Sequence, residues 1–268
     1  EGIQDLKEKR IRCVGNALER FTEDALRILR AIRFSAQLGF SIEESTWEAI
    51  KVIAPNLIHV SKERIQVELT KLLLSNHPDE IRKVFDRELD TRICADFPKI
   101  NPAQIAIDPG LPKEKHMRWA ALLRYQTPEE AVVILRQLKL DNDTINRVKT
   151  LVQWWKRPIG ADQTQIRKTM SQMAPELYDD LLVLKASVGE MELQAEGCVE
   201  DLDWVKAQSG EIRQRGDCVS LKELAVTGAD LIQAGMKPGK ELGETLKRLL
   251  ELVLEHPEWN TKEILKKV

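Results

Sequence analysis

The residues whose types and spacing could do chemistry are concentrated in one run near the start of the chain. It reads Glu19-Arg20-Phe21-Thr22-Glu23-Asp24-Ala25-Leu26-Arg27-Ile28-Leu29-Arg30-Ala31-Ile32-Arg33-Phe34. On a helix, Asp24 and Arg27 would lie about 60° apart around the axis and share one face. A carboxylate accepts from an exocyclic amine and a guanidinium offers directional N–H groups, so the two together could discriminate base edges. Arg30 and Arg33 lie progressively round the same helix and could meet phosphates or acidic neighbours. The spacing equally suits a bland pair: an acidic first turn with an i,i+3 ion bridge worth about 0.3 kcal/mol. Periodicity alone favours the bland pair.

Other chemical devices are missing. The sequence has no G-x-G-x-x-G, no G-x-x-x-x-G-K-[ST], no H-E-x-x-H and no G-x-S-x-G. Cys13, Cys94, Cys198 and Cys218 are scattered, as are His59, His77, His116 and His256, which argues against a disulfide framework or a zinc site and for a reducing, cytoplasmic setting. Asp141/Asp143 and Asp201/Asp203 have the spacing of a two-metal pair but fall at expected helix borders rather than on a strand. Taken alone, the residues suggest binding machinery.

The elements that must position these groups are expected to be helical throughout. Thr22 reads as the cap of a helix whose first turn holds Glu23 and Asp24 and which stops at Gly39. A shorter helix is expected over 43–53, before Pro55. Ser61 should start another, with Ile65, Leu69, Leu72 and Leu73 on its inner face. Thr127-Pro128-Glu129-Glu130 and Ser220-Leu221-Lys222-Glu223 are capping-box patterns. Further helices are expected at about 114–125, 128–138, 142–155, 164–173, 176–187, 190–208 and 241–255, with a last one from Thr261. Prolines and glycine recur over 97–113, the best interior linker. Alternation of the strand type is almost absent. The fold class is all-α, an elongated array of helical modules.

The chain has 268 residues, 41 Lys+Arg and 43 Asp+Glu, a net charge of -2, with 43% hydrophobic and 31% charged residues. These are globular values and exclude a disordered chain or a uniformly basic nucleic-acid coat. No apolar run is long enough to span a membrane. The charge is uneven: residues 113–157 carry ten basic and five acidic side chains, whereas 158–211 carry four and eleven. The basic stretch could meet phosphates, in a salt-sensitive manner, or could be an ordinary solvated face.

The run from Asp5-Leu6 through Ile11-Arg12-Cys13-Val14-Gly15-Asn16, Arg20–Phe34 and Leu38-Gly39-Phe40 closely resembles the class II tRNA nucleotidyltransferases, the CCA-adding enzymes, and their bacterial poly(A) polymerase relatives. The likeness continues through Ile58–Ile65, Glu68-Leu69 and Lys71–Leu73, weakens, and returns over Leu224–Ile232 and Gly235–Lys240. The resemblance implies that Asp24 and Arg27 hydrogen-bond an incoming cytosine or adenine and that Glu23 fixes the local geometry. Arg20 and Arg33 would support the pocket or nearby phosphates. Ser61, Glu63, Arg64 and Glu68 would support the helix that carries them. Lys149, Arg157, Gly228, Lys237, Gly239 and Lys240 are the candidate tRNA contacts, reading the acceptor stem and elbow by shape.

By the same resemblance, residues 1–15 are the end of a catalytic head, 16–97 a neck, 98–211 a helical body and 212–268 a tail that meets the tRNA elbow. The head itself, with its Mg²⁺-binding aspartates, precedes this stretch in the family. No catalytic residue, metal ligand or cofactor is therefore expected in this chain, which alone should not transfer a nucleotide. The implied parent adds C, C and A to tRNA 3′ ends from CTP and ATP. The competing readings are a headless tRNA-binding module (partnered or not by a separately supplied head), part of a poly(A) polymerase or partial C- or A-adding relative, and an unrelated helical scaffold. No membrane partner is expected.

Overall fold

A computed structural model describes residues 2–86, 88–198 and 200–267. Among the described residues the regular structure is helical, apart from a two-residue parallel pairing of β1 (Arg10–Ile11) with β2 (Ser41–Ile42). It divides into two compact units, Glu1–Trp155 and Lys156–Val268.

The first unit opens with α1 (Gly2–Lys7), then α2 (Ala17–Glu23), α3 (Leu26–Leu38), α4 (Glu44–Ile53) and α5 (Lys62–Leu73). Asn16 caps α2, its side-chain oxygen accepting from the N–H groups of Leu18 and Glu19. Thr22 is not the cap expected of it: it lies inside α2, its hydroxyl donating to Leu18 O at 2.7 Å. The break comes two residues later, where Asp24 is extended (φ -153°, ψ 101°) and its carboxylate accepts from Leu26 N–H at the start of α3. A short acceptor at that point satisfies a donor the new helix leaves open. α3 ends on Gly39 at φ 66°, where a side chain would both strain the backbone and meet His77 Nε2 at 2.8 Å.

Ser61 starts α5 as expected, accepting from Arg64 N–H. Ile65, Leu69, Leu72 and Leu73 are all buried, as are Ile28, Leu29, Ile32 and Ala36 of α3, which packs against α5. Burying each of the leucines and isoleucines is worth about 2 kcal/mol. Short α6 (Arg82–Asp86) and α7 (Asp90–Ile93) lead to the proline-rich stretch.

That stretch, expected to be a linker, is pinned inside the first unit. Ile105, Ile107 and Leu111 are buried. The fully buried Arg118 guanidinium donates to the carbonyls of Asp108, Pro109, Leu111 and Pro112, and Arg124 donates to Ala106 O. The prolines thus shape a loop whose free carbonyls are collected by two arginines of α8 (Lys115–Leu123) and its end. With α9 (Pro128–Gln137) and α10 (Asn142–Trp154) the unit closes; the Thr127–Glu130 capping box is formed in full.

The second unit holds α11 (Gln163–Met170), α12 (Pro175–Val188), α13 (Glu190–Ala195), α14 (Leu202–Arg215), α15 (Gly228–Gln233), α16 (Lys240–Glu255) and α17 (Lys262–Leu265). The single helix expected over 190–208 is two, because Gly197 is left-handed (φ 80°) and Asp201 caps a fresh start through Trp204 N–H. Ser220 begins only a turn; the box that forms is Thr227 with Asp230. Leu224, Val226, Leu231, Leu249, Val253 and Leu265 make the core of this end.

Candidate nucleobase pocket and RNA-facing residues

The break between α2 and α3 decides how the chemical residues are presented. Since Asp24 sits outside either helix, it and Arg27 do not pair as an i,i+3 bridge. Asp24 Oδ2 instead accepts from Arg64 Nη2 of α5 at 2.8 Å, while Oδ1 takes the Leu26 N–H at 3.1 Å. Arg27 Nη1 donates to Glu23 Oε2 at 2.8 Å and to Arg20 O at 3.0 Å. Glu23 Oε2 also accepts from Arg20 Nη1 at 3.0 Å. Burial pushes the Asp24 carboxyl up, but the hydrogen bonds from Arg64 and Leu26 N–H outweigh it and hold it below the ordinary carboxylate value.

This arrangement leaves usable groups. Each Asp24 oxygen has spent one lone pair, and its side chain is 27% exposed; Arg27, 34% exposed, has committed Nη1 but keeps its Nε and Nη2 hydrogens. Arg20 and Arg27 line a cavity of about 290 Å³ with Arg12, Arg30, Phe34 and the backbone turn at Cys13-Val14. Asp24 is not in its wall. Four guanidinium groups round an exposed aromatic edge suit a flat, electron-rich ligand carrying phosphate.

Arg12 and Phe34 are the residues that sequence reasoning missed. Arg12 follows β1 and enters through the β1–β2 pairing, a contact no periodicity announces. Phe34, 39% exposed on α3, is the aromatic that the pattern would have placed in the core.

Arg33 does not reach this pocket. It is buried, donating through Nε to Glu68 at 2.5 Å and through Nη1 to Gln37 at 2.6 Å, with its guanidinium 3.9 Å over the Phe34 ring. Arg33 and Glu68 form the strut between α3 and α5. Ser61 caps α5, Arg64 holds Asp24, and Glu63 is exposed.

The other candidates are dispersed. Lys149 on α10 is exposed in the first unit; Arg157 is exposed in the second. The ten basic residues of 113–157 do not form one face: Arg118 and Arg124 are buried, Lys115 pairs with Asp141, which caps α10, and Arg147 pairs with Asp143. Lys237 and Gly239 are exposed in the turn before α16, and Lys240 pairs loosely with Glu244 at 3.6 Å. Gly228 opens α15, and a Cβ there would touch Leu242 at 3.5 Å, so it faces α16. No group of three or more His, Cys, Asp or Glu side chains among the described residues could hold a metal ion, and no helix there is long and apolar enough to cross a membrane.

Residues 112–268 match the family "tRNA nucleotidyltransferase domain 2", and residues 39–88 match the family described as "Probable RNA and SrmB-binding site of polymerase A". A CCA-adding enzyme of Lacticaseibacillus paracasei is 34% identical over 95% of this chain and 60% of its own length. Another, from Oceanobacillus iheyensis, is 55% identical over 34% of this chain and 23% of its own length. The crystal structure of the Bacillus stearothermophilus CCA-adding enzyme in complex with CTP superposes with a TM-score of 0.79 at 25% identity, over 99% of this chain and 66% of that one. The chain spans 60% and 65% of the lengths of the L. paracasei and Latilactobacillus sakei relatives. The chain belongs to the tRNA nucleotidyltransferase family of CCA-adding enzymes.

Proposed function

We propose that this chain is the base-selecting and tRNA-binding portion of an enzyme that adds C, C and A to tRNA 3′ ends from CTP and ATP. The observation that carries the reading is the paired immobilisation of Asp24 by Arg64 and of Arg27 by Glu23, with both side chains still open to a ligand. Cytosine and adenine share one edge pattern: an exocyclic amine beside an unprotonated ring nitrogen. A carboxylate accepts from the amine while a guanidinium donates to the ring nitrogen. Uracil and guanine present the inverse, a carbonyl beside a ring N–H, and would leave both protein groups unmatched. Fixing the two side chains beforehand reduces the ordering cost when the base arrives.

Arg12, Arg20 and Arg30 would hold the ribose-phosphate side of the nucleotide. Mg²⁺ and the phosphoryl-transfer chemistry belong, in this reading, to the catalytic head of the intact enzyme. The family's division into neck (16–97), body (98–211) and tail (212–268) is kept as a functional proposal, with Lys149, Arg157 and the Lys237–Lys240 turn as RNA contacts. The matches to a tRNA nucleotidyltransferase domain and to a polymerase RNA-binding site support it.

Titration of the full chain with CMP, AMP, UMP and GMP, followed by NMR of the Arg27 side-chain Nε–H, tests the base reading. CMP and AMP should shift that resonance saturably while UMP and GMP leave it unmoved. Equal responses to all four would contradict it.

A further inference from the structure

The second unit contains a buried nucleophile pair that base reading does not use. Lys185 of α12 is fully buried and Cys198, in the connection between α13 and α14, is 1% exposed. Lys185 Nζ lies 3.1 Å from Cys198 Sγ and also pairs with Glu200 Oε1. The thiol donates to the same Oε1 at 3.4 Å, which closes a three-membered ring of contacts. Glu200 is fixed in turn by Ile159 N–H, which donates to Oε2 at 2.7 Å. A salt bridge alone would need only Lys185 and Glu200; the thiol in the same ring is the unexplained part.

We propose that Lys185 and Cys198 react with dioxygen to form a covalent, reducible N–O–S bridge. The geometry supplies what the reaction needs. One inserted oxygen spans a nitrogen–sulfur gap only slightly shorter than the one observed. Glu200 can take the ammonium proton, freeing the Nζ lone pair, and it accepts from the thiol. It also lines a cavity of about 690 Å³ between Ile159, Thr169 and Trp204, through which a small oxidant can arrive.

The step balances with one dioxygen per bridge. The S–H bond and one N–H bond break, S–O and O–N bonds form, and sulfur and nitrogen each lose two electrons. Dioxygen takes the four electrons; one atom stays in the bridge and the other leaves as water with the two displaced hydrogens. The product ties α12 to the segment before α14 across 13 residues, making the fold of this unit sensitive to redox state. The inference rests on the second unit alone and stands apart from the base reading.

Intact and peptide mass spectrometry on the full chain, kept in air-saturated or anaerobic buffer, tests it. Trypsin cannot cut after a bridged Lys185, so aerated protein should yield one peptide covering 169–206 that is about 14 Da heavy. Dithiothreitol should return its mass and restore cleavage after Lys185. Anaerobic protein, and Lys185→Arg, which keeps the cation, should not form it. Normal cleavage after Lys185 in aerated protein, with Cys198 free or only sulfinic, would overturn the proposal. So would a peptide about 2 Da light, a direct sulfur–nitrogen bond.

Discussion

Arg64 decides what Asp24 can do. Without that guanidinium the aspartate would keep its burial and lose its main charged partner, so its carboxyl should rise from its depressed value. In Arg64→Ala, a carboxylate NMR titration of Asp24 should show that rise, with weaker CMP binding below neutral pH as the protonated fraction grows. An unmoved titration would mean that Arg64 does not hold the carboxylate. Local spacing pointed to an Asp24–Arg27 pair, whereas Arg27 pairs with Glu23 and Asp24 with Arg64. The break at Asp24, in place of a cap at Thr22, was not legible in the sequence, since either residue type can accept from the N–H groups of a helix start and the Asp24 carboxylate takes the Leu26 N–H. Partners 35 and 40 residues away, Glu68 for Arg33 and Arg64 for Asp24, leave no trace in periodicity. Of the partners the sequence left open for Arg33, the pocket, phosphates or an acidic neighbour, it takes the acidic one, Glu68, in the core.

At the scale of elements, the helices were readable wherever a cap and an apolar stripe agreed, as at Ser61 and Thr127. Thr127→Ala should cost about 1 kcal/mol, since the hydroxyl that accepts from Glu130 N–H is lost. Proline recurrence misled over 97–113 because prolines mark turns whether the turn is free or anchored, and the anchor is the buried Arg118. Arg118→Met, similar in length but without donors, should destabilise the first unit by about 3 kcal/mol as carbonyls lose their partner. Urea unfolding followed by tryptophan fluorescence measures both, and a change within about 0.5 kcal/mol for Arg118→Met would refute the anchoring role. At the other end, Lys262, the Thr227 N–H and the Thr227 hydroxyl hold Asp230 well below the ordinary carboxylate range. A depressed carboxyl stabilises the fold above its unfolded pKa, and that contribution disappears as pH falls through the folded value. Asp230→Asn should therefore lower the melting temperature at pH 7 and narrow the gap to the parent protein as the pH is taken below about 4. A gap that stayed constant with pH would rule out this source.

For the whole molecule, a near-neutral charge conceals a distribution that composition could describe only along the chain. The local excess over 113–157 did not survive folding as one patch, because two arginines turned inward and Lys115, Arg147 and Lys156 found carboxylates. RNA affinity should then rest on separate exposed lysines. Lys149→Glu and Lys237→Glu should each weaken tRNA binding and reduce the slope of log affinity against log salt by about 1. An unchanged slope in both would remove these residues from the interface. The family was legible from the first forty residues, while the division at Trp155/Lys156 was not drawn, although the switch from a basic to an acidic excess at 157/158 falls beside it.

The most direct test of base selection joins this chain to the catalytic head of the L. paracasei relative and measures CTP, ATP, UTP and GTP incorporation into tRNA lacking its 3′ end. The fusion should incorporate C and A and exclude U and G, and Asp24→Ala or Arg27→Ala should lose that discrimination by at least about tenfold, or 1.4 kcal/mol. Selectivity retained in both variants would contradict the account.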